Sequence, residues 1–97
     1  MIKIKKSDIL QACDMLEAHP RRHTVGFCIR QDDGGTVRYC PLGLAAALAL
    51  SRVGPFTCAQ VAVVAYAYCR HVDVYMANDN AAGSVADKMA AVREALG

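Results

Sequence analysis

Ile9, Cys13 and Leu16 recur at helical spacing, with Leu10 and Ala12 beside them. This pattern predicts an amphipathic helix over roughly residues 8–18. Ser7 is placed to cap it. His19-Pro20 ends it, because the residue before a proline is pushed out of the helical region. Ahead of the helix, Ile and Lys alternate over residues 1–6, which reads as a short edge strand.

Residues 24–30 also alternate: Val25, Phe27 and Ile29 point one way, Gly26, Cys28 and Arg30 the other. Asp32-Asp33-Gly34-Gly35 then supplies the chemistry of a tight turn. Residues 36–40 return, with Val37 and Tyr39 on one face, so the segment predicts a β-hairpin. Pro41 suits the first turn of a helix. Leu42 to Leu50 contains only Leu, Ala and Gly, and a helix apolar all round must be buried all round. Thr57-Cys58-Ala59-Gln60 is a capping box for a third helix running to about Arg70 or on to Met76. Cys58, Val61, Ala65, Cys69 and Val72 form its stripe. The segment from Asn78 to Gly83 reads as a loop. Ser84 opens the last helix, with Val85, Met89, Val92 and Leu96 on one stripe.

The expected fold is therefore α+β: a single domain over residues 1–97, with the hairpin packed against a four-helix, alanine-rich bundle. Seventeen alanines suit close helix packing. Apolar residues make up 55% of the chain and charged residues 21%, which excludes a disordered protein. Two of the four helices are almost devoid of charge, so burial by a second copy, a homodimer, is an open expectation. No run is long enough for a membrane span, because Gly54-Pro55 interrupts the uncharged stretch. Five cysteines without a Cys-x-x-Cys pair, behind an N-terminus with no apolar signal core, point to free thiols in the cytoplasm.

One cysteine stands out. Cys40-Pro41-Leu42-Gly43 joins the hairpin to the all-apolar helix, and Asn78-Asp79-Asn80 precedes the last helix. This order resembles a domain family of unknown function from bacteriophage and bacterial proteins. The family is marked by Cys-x-x-Gly-Ala-Leu and, further on, Trp-Asn-Asp. Cys40, Gly43, Asn78 and Asp79 match; Leu44-Ala45 stands for Ala-Leu, and Ala77 for the tryptophan. The resemblance implies an α+β fold and a phage or prophage setting, without a mechanism.

Four kinds of chemistry compete for these residues. A helix N-terminus favours a thiolate, so Cys40 is a candidate nucleophile, with His71, His23 or His19 as base and Asp73 or Asp79 to orient it. The alternative is a structural cysteine beside a glycine that permits close packing. Cys28, Cys40, Cys58, Cys69, His19, His23 and His71 lack the tight ligand pairs of a zinc site, and Cys58 and Cys69 lie ~16 Å apart along a helix. No metal or cofactor is expected. Lys3, Lys5, Lys6, Arg21, Arg22, His23, Arg30 and Arg38 are a candidate basic surface around the first helix and hairpin. Such a surface suits phosphates or acidic side chains. The net charge of only +2, and the lack of interleaved aromatics, argue against a dedicated nucleic-acid binder. Asp79 is expected to organise the turn into the last helix, near the head of the Cys40 helix. Tyr66, Tyr68 and Tyr75 suit either core packing or an interface.

The favoured expectation is a small non-enzymatic interaction protein that binds and modulates a host protein or ribonucleoprotein complex. A counter-defence inhibitor of the anti-CRISPR type is its specific form, by analogy. Arg21, Arg22, Arg30 and Arg38 are the expected contact residues. A Cys40-dependent enzyme and a small nucleic-acid-binding regulator are the alternatives.

Overall fold

A computed structural model describes residues 3–67 and 72–97. The elements, in chain order, are α1 (Lys6–Ala18), a short 3-10 turn (Pro20–Arg22), β1 (Ile29–Gln31), β2 (Val37–Tyr39), α2 (Pro41–Ser51), α3 (Cys58–Ala67), α4 (Val72–Asn80) and α5 (Val85–Leu96). The fold is α+β, as expected, with one antiparallel hairpin beside the helices.

The centre of the molecule is α2. It packs against α1, α3, α4 and β2. Nine of its eleven residues are buried, which a helix without a polar face requires. The chain's own elements provide this cover, so α2 needs no second copy. α1 turns Ile9, Ala12, Cys13 and Leu16 inward, and α5 contributes Met89 and Val92. Val85 and Leu96 pack at the rim of the same core. Arg93 of α5 clamps α1 by pairing with Asp14 at 2.7 Å and with Glu17. Lys88 closes the end of α4 by donating to the carbonyls of Asn78 and Ala81.

Several expectations are corrected. Residues 3–5 form no strand; α1 begins at Lys6, so Ser7 lies inside it. Lys5 is the cap residue, and its N–H donates to Asp8 at 3.1 Å. Asp8 is thereby drawn inward and pairs with Arg52, just past α2, at 2.6 Å. Cys58 is exposed rather than part of the α3 stripe, where Val61, Val64 and Ala65 are buried instead. Asn78 and Asp79 belong to the last turn of α4 rather than to a loop. The capping boxes at Thr57 and Ser84 both form. Tyr68, Cys69, Arg70 and His71 lie outside the described residues, and with them the expected run of one helix through Arg70. α3 and α4 are the described helical segments on either side of those residues.

The hairpin is shorter than its alternation suggests. Asp32 builds its turn by accepting from the N–H groups of Gly34 and Thr36 at 3.0 and 2.9 Å. β1 pairs with one edge of β2, in the register Ile29↔Tyr39, Arg30↔Arg38 and Gln31↔Val37. The residues before β1 lie against the opposite edge: His23 bridges Tyr39 in parallel, and the Thr24 N–H donates to the Tyr39 carbonyl at 2.9 Å. Residues 25–27 therefore cross from one edge of β2 to the other. Gly26, at φ +78, makes the bend, in a conformation that L side chains avoid. The crossing leaves Val25 and Phe27 exposed instead of facing inward with Ile29.

The Asp8–Arg52 contact generates a pH prediction. Burial alone raises the Asp8 carboxyl, but the Arg52 guanidinium and the Lys5 N–H outweigh it, and the net shift is below the ordinary 3.8. Its stabilisation is therefore complete above that value and is lost as pH falls through the folded pKa. Asp8→Asn is expected to unfold at lower urea than the parent at neutral pH. The gap should narrow as the pH falls below 3.8 and close once the folded-state carboxylate is protonated. A gap that persists unchanged in acid would show that the carboxylate charge is not what stabilises this corner.

Candidate functional site

Both sequence landmarks converge on one loop, residues 23–28. From one side comes the head of α2. The Cys40 N–H donates to the Cys28 carbonyl at 3.1 Å, and Leu44 donates to the Cys40 carbonyl at 2.9 Å as the helix starts. Gly43 lies directly over the same Cys28 carbonyl; a Cβ there would overlap its oxygen outright. The Cys40 sulfur caps the helix, accepting from the Gly43 N–H at 3.3 Å.

From the other side come the last residues of α4. Asn78 is fully buried, accepts from His23 Nε2 at 2.6 Å and donates to the Thr24 carbonyl at 3.2 Å. Asp79 accepts from the Gly26 N–H at 2.9 Å. Asp79 therefore holds the loop before β1 and does not organise the turn into α5. That turn is held by Ser84 and Asp87. The two motifs are the two jaws of a clasp on a loop that the sequence reading treated as strand.

Inside the clasp two thiols meet. The register of the hairpin, continued one step past Ile29↔Tyr39, sets Cys28 opposite Cys40. Cys28, Cys40, Tyr66 of α3 and Tyr75 of α4 lie close enough to influence one another's ionisation. Cys28 is held down to about 7, first by the Cys40 hydrogen bond, with Tyr66 adding to it and burial opposing. Cys40 is pushed well above the ordinary thiol value, because its proton is engaged by Cys28 and because burial disfavours a second thiolate. Cys28 and Cys40 thus titrate as one unit with its negative charge centred on Cys28. The sulfur with the lowered pKa is Cys28, the cross-strand neighbour of the one at the helix N-terminus. Cys28 was legible from the turn, since pairing Asp32 with Thr36 sets residue 28 opposite residue 40.

The remaining candidates are dispersed. His23 is engaged by Asn78, not by a thiol. His19 lines an open cleft of about 340 Å³ with Met15, Leu16, Arg22, Tyr39 and Leu44, none of them in the thiol cluster. His71 and Cys69 lie outside the described residues. Cys13 is buried, and that burial pushes its thiol up to about 11. Among the described residues no group of three His, Cys, Asp or Glu side chains is placed to hold a metal ion. No helix among them is long and apolar enough to cross a membrane.

The basic residues divide into separate groups. Lys3, Lys5 and Lys6 lie at the start of α1 and Arg21 and Arg22 just beyond its end, ~20 Å apart by helix rise. On the hairpin, Arg30 and Arg38 are directly opposed. Arg38 pairs with Asp32 at 3.3 Å and donates to the Arg21 carbonyl. Arg22 donates to the Val37 carbonyl at 3.2 Å. Arg30 lies over the Phe27 ring, 5.7 Å from its centroid.

The clasp generates a ranked set of stability effects. Gly43→Ala is expected to cost about 3 kcal/mol, because backbone must move to admit the methyl group. Asn78→Ala should cost about 2–3 kcal/mol by orphaning buried partners, and Asp79→Ala only about 1 kcal/mol. Urea unfolding of the three variants checks the order; Asn78→Ala proving as mild as Asp79→Ala would contradict the two-jaw description.

No family model, curated protein or solved structure matches the chain. Cys40, Gly43, Asn78 and Asp79, the residues of the two sequence landmarks, are the residues of the clasp.

Proposed function

We propose that this protein is a non-enzymatic binding module that recognises another protein through the surface around Phe27. The observation that carries this reading is an apolar patch left uncovered beside the clasp. Phe27 is 53% exposed and Val25 43%, while Val63 and Tyr66 of α3 are 62% and 64% exposed. Val63 and Tyr66 are three residues apart and share a helix face. α3 packs beside β1, and Tyr66 lies close enough to Cys28, the neighbour of Phe27, to influence its ionisation, so the two parts adjoin. Arg30, stacked on Phe27, gives the patch a cationic border. Aromatic side chains with a stacked arginine are the composition of energetic centres in protein interfaces. The partner that fits is a protein with an apolar socket and an acidic rim.

This revises the expected contact residues. Arg30 stays central, whereas Arg38 and Arg22 serve the hairpin's own structure. Pairing within the chain also counts against phosphate binding. Arg38, Arg52 and Arg93 face carboxylates, and the lysine group lies far from the arginines. Counterion release needs several free cations on one surface. Inhibition of a host defence complex is the finer form of the proposal and draws only on chain size and the family resemblance.

The test is a pull-down from nuclease-treated host lysate, at moderate salt, with the parent, Phe27→Ala, Arg30→Glu and, as a control, Glu94→Ala on α5. A discrete protein is expected to be retained by the parent and the control. Phe27→Ala should weaken it by about 30-fold, the equivalent of a ~2 kcal/mol interface anchor. Recovery of nucleic acid alone, or equal binding by Phe27→Ala, would overturn the proposal.

A further inference from the structure

Cys28 and Cys40 face each other across the last step of the hairpin, and the ladder loosens there. The Cys40 N–H still bonds the Cys28 carbonyl, but the Cys40 carbonyl has turned away to start α2. Hydrogen-bonded antiparallel partners hold their Cα atoms about 5.5 Å apart. That spacing falls inside the roughly 4.4–6.8 Å range that a disulfide spans. Directly opposed residues of an antiparallel pair turn their side chains to the same face, so the two sulfurs need little movement to bond. Cys28 is 3% exposed and Cys40 not at all, so Cys28 is the sulfur a small reagent meets first.

We propose that Cys28 and Cys40 are an oxidisable dithiol, in which Cys28 reacts with a hydroperoxide and Cys40 resolves the product into a reversible cross-strand disulfide. The Cys28 thiolate attacks one peroxide oxygen. The O–O bond breaks, the other oxygen leaves as hydroxide or alkoxide and takes up a proton, and Cys28 becomes a sulfenic acid. The Cys40 sulfur then attacks the Cys28 sulfur. The S–O bond breaks, and the departing hydroxide leaves as water with the Cys40 proton. Two thiols and one hydrogen peroxide give one disulfide and two waters. The two electrons pass from the sulfurs to the peroxide, and an external dithiol returns them.

The chain contains its own comparison. Among the described residues Cys13 has no thiol partner, and burial disfavours its thiolate. Cys58 is exposed in the first turn of α3, so a reagent reaches it directly. The proposal is independent of the binding reading, although the reacting sulfur lies under the same patch.

The test treats the reduced, folded protein with hydrogen peroxide and maps its peptides without reduction. A Cys28–Cys40 linked peptide is expected, with loss of two hydrogens from the intact mass and restoration by dithiothreitol. In Cys40→Ser the bond should vanish, and dimedone should trap a sulfenic acid on Cys28. Alkylation of Cys28 should slow only about tenfold from pH 8 to pH 6, matching a thiol near 7 and not the steeper fall of an ordinary one. Circular dichroism of Cys40→Ser shows whether it folds, and the parent's peptide map decides the matter if it does not. A bond to Cys58 or Cys69, a sulfenic acid on Cys28 of the parent that is never resolved, or an unreactive Cys28 would overturn the proposal.

Discussion

The contact on which this fold turns is the seating of α2's first turn on the carbonyl of Cys28. Gly43 allows the approach, and the Cys40 N–H makes it favourable at 3.1 Å. A backbone oxygen buried at such a corner must be satisfied, and an N–H from the strand end does so without water. Once that contact is made, the hairpin's register continues into the helix and the two sulfurs become neighbours. The all-apolar helix is also fixed at the centre, where α1, α3 and α4 can cover it. A side chain at residue 43 would separate these elements, and no repacking of the alanines behind it would restore the fit.

Much of this was legible in the sequence. The helical stripes of α1 and α5, the caps at Thr57 and Ser84, the Asp32 turn and the near-complete burial of α2 follow from local rules that the tertiary structure leaves intact. The cap of α1 was misplaced locally, at Ser7 instead of Lys5, but other failures share a cause: residues whose role is set by partners far along the chain. Val25 and Phe27 alternate like a strand, but Asp79 holds the Gly26 N–H and the chain bends there. Asp8 looks like a surface carboxylate on an amphipathic helix until Arg52, 44 residues later, pairs with it. At the candidate site the right motifs were visible and their meaning was not. Cys40 drew notice for its helix terminus, whereas the sulfur with the lowered pKa is its cross-strand partner. Spacing from the turn carried that information; helix electrostatics did not.

The distribution of charge sharpens the functional picture. Arginines that read as a binding face are partly consumed as internal ties: Arg38 joins the turn to the segment before β1, and Arg22 holds the Val37 carbonyl. What the fold leaves uncommitted is apolar and aromatic. An exposed phenylalanine and tyrosine beside a guanidinium offer contact area at little cost in side-chain order. Their positions are fixed by the clasp below them, so the surface is preorganised to the extent that the loop is.

The clasp also orders events during synthesis. His23 and Thr24 are made 55 and 54 positions before their partner Asn78. A chain elongating at roughly 5–20 residues per second leaves that loop unclasped for several seconds. During this interval α2, apolar on every side, has α1 and the hairpin for cover but neither α4 nor α5. The nascent half is a sticky intermediate, and the last two helices act as its closing lid. Any shortening of the chain before Asn78 would leave a product that cannot complete its own core.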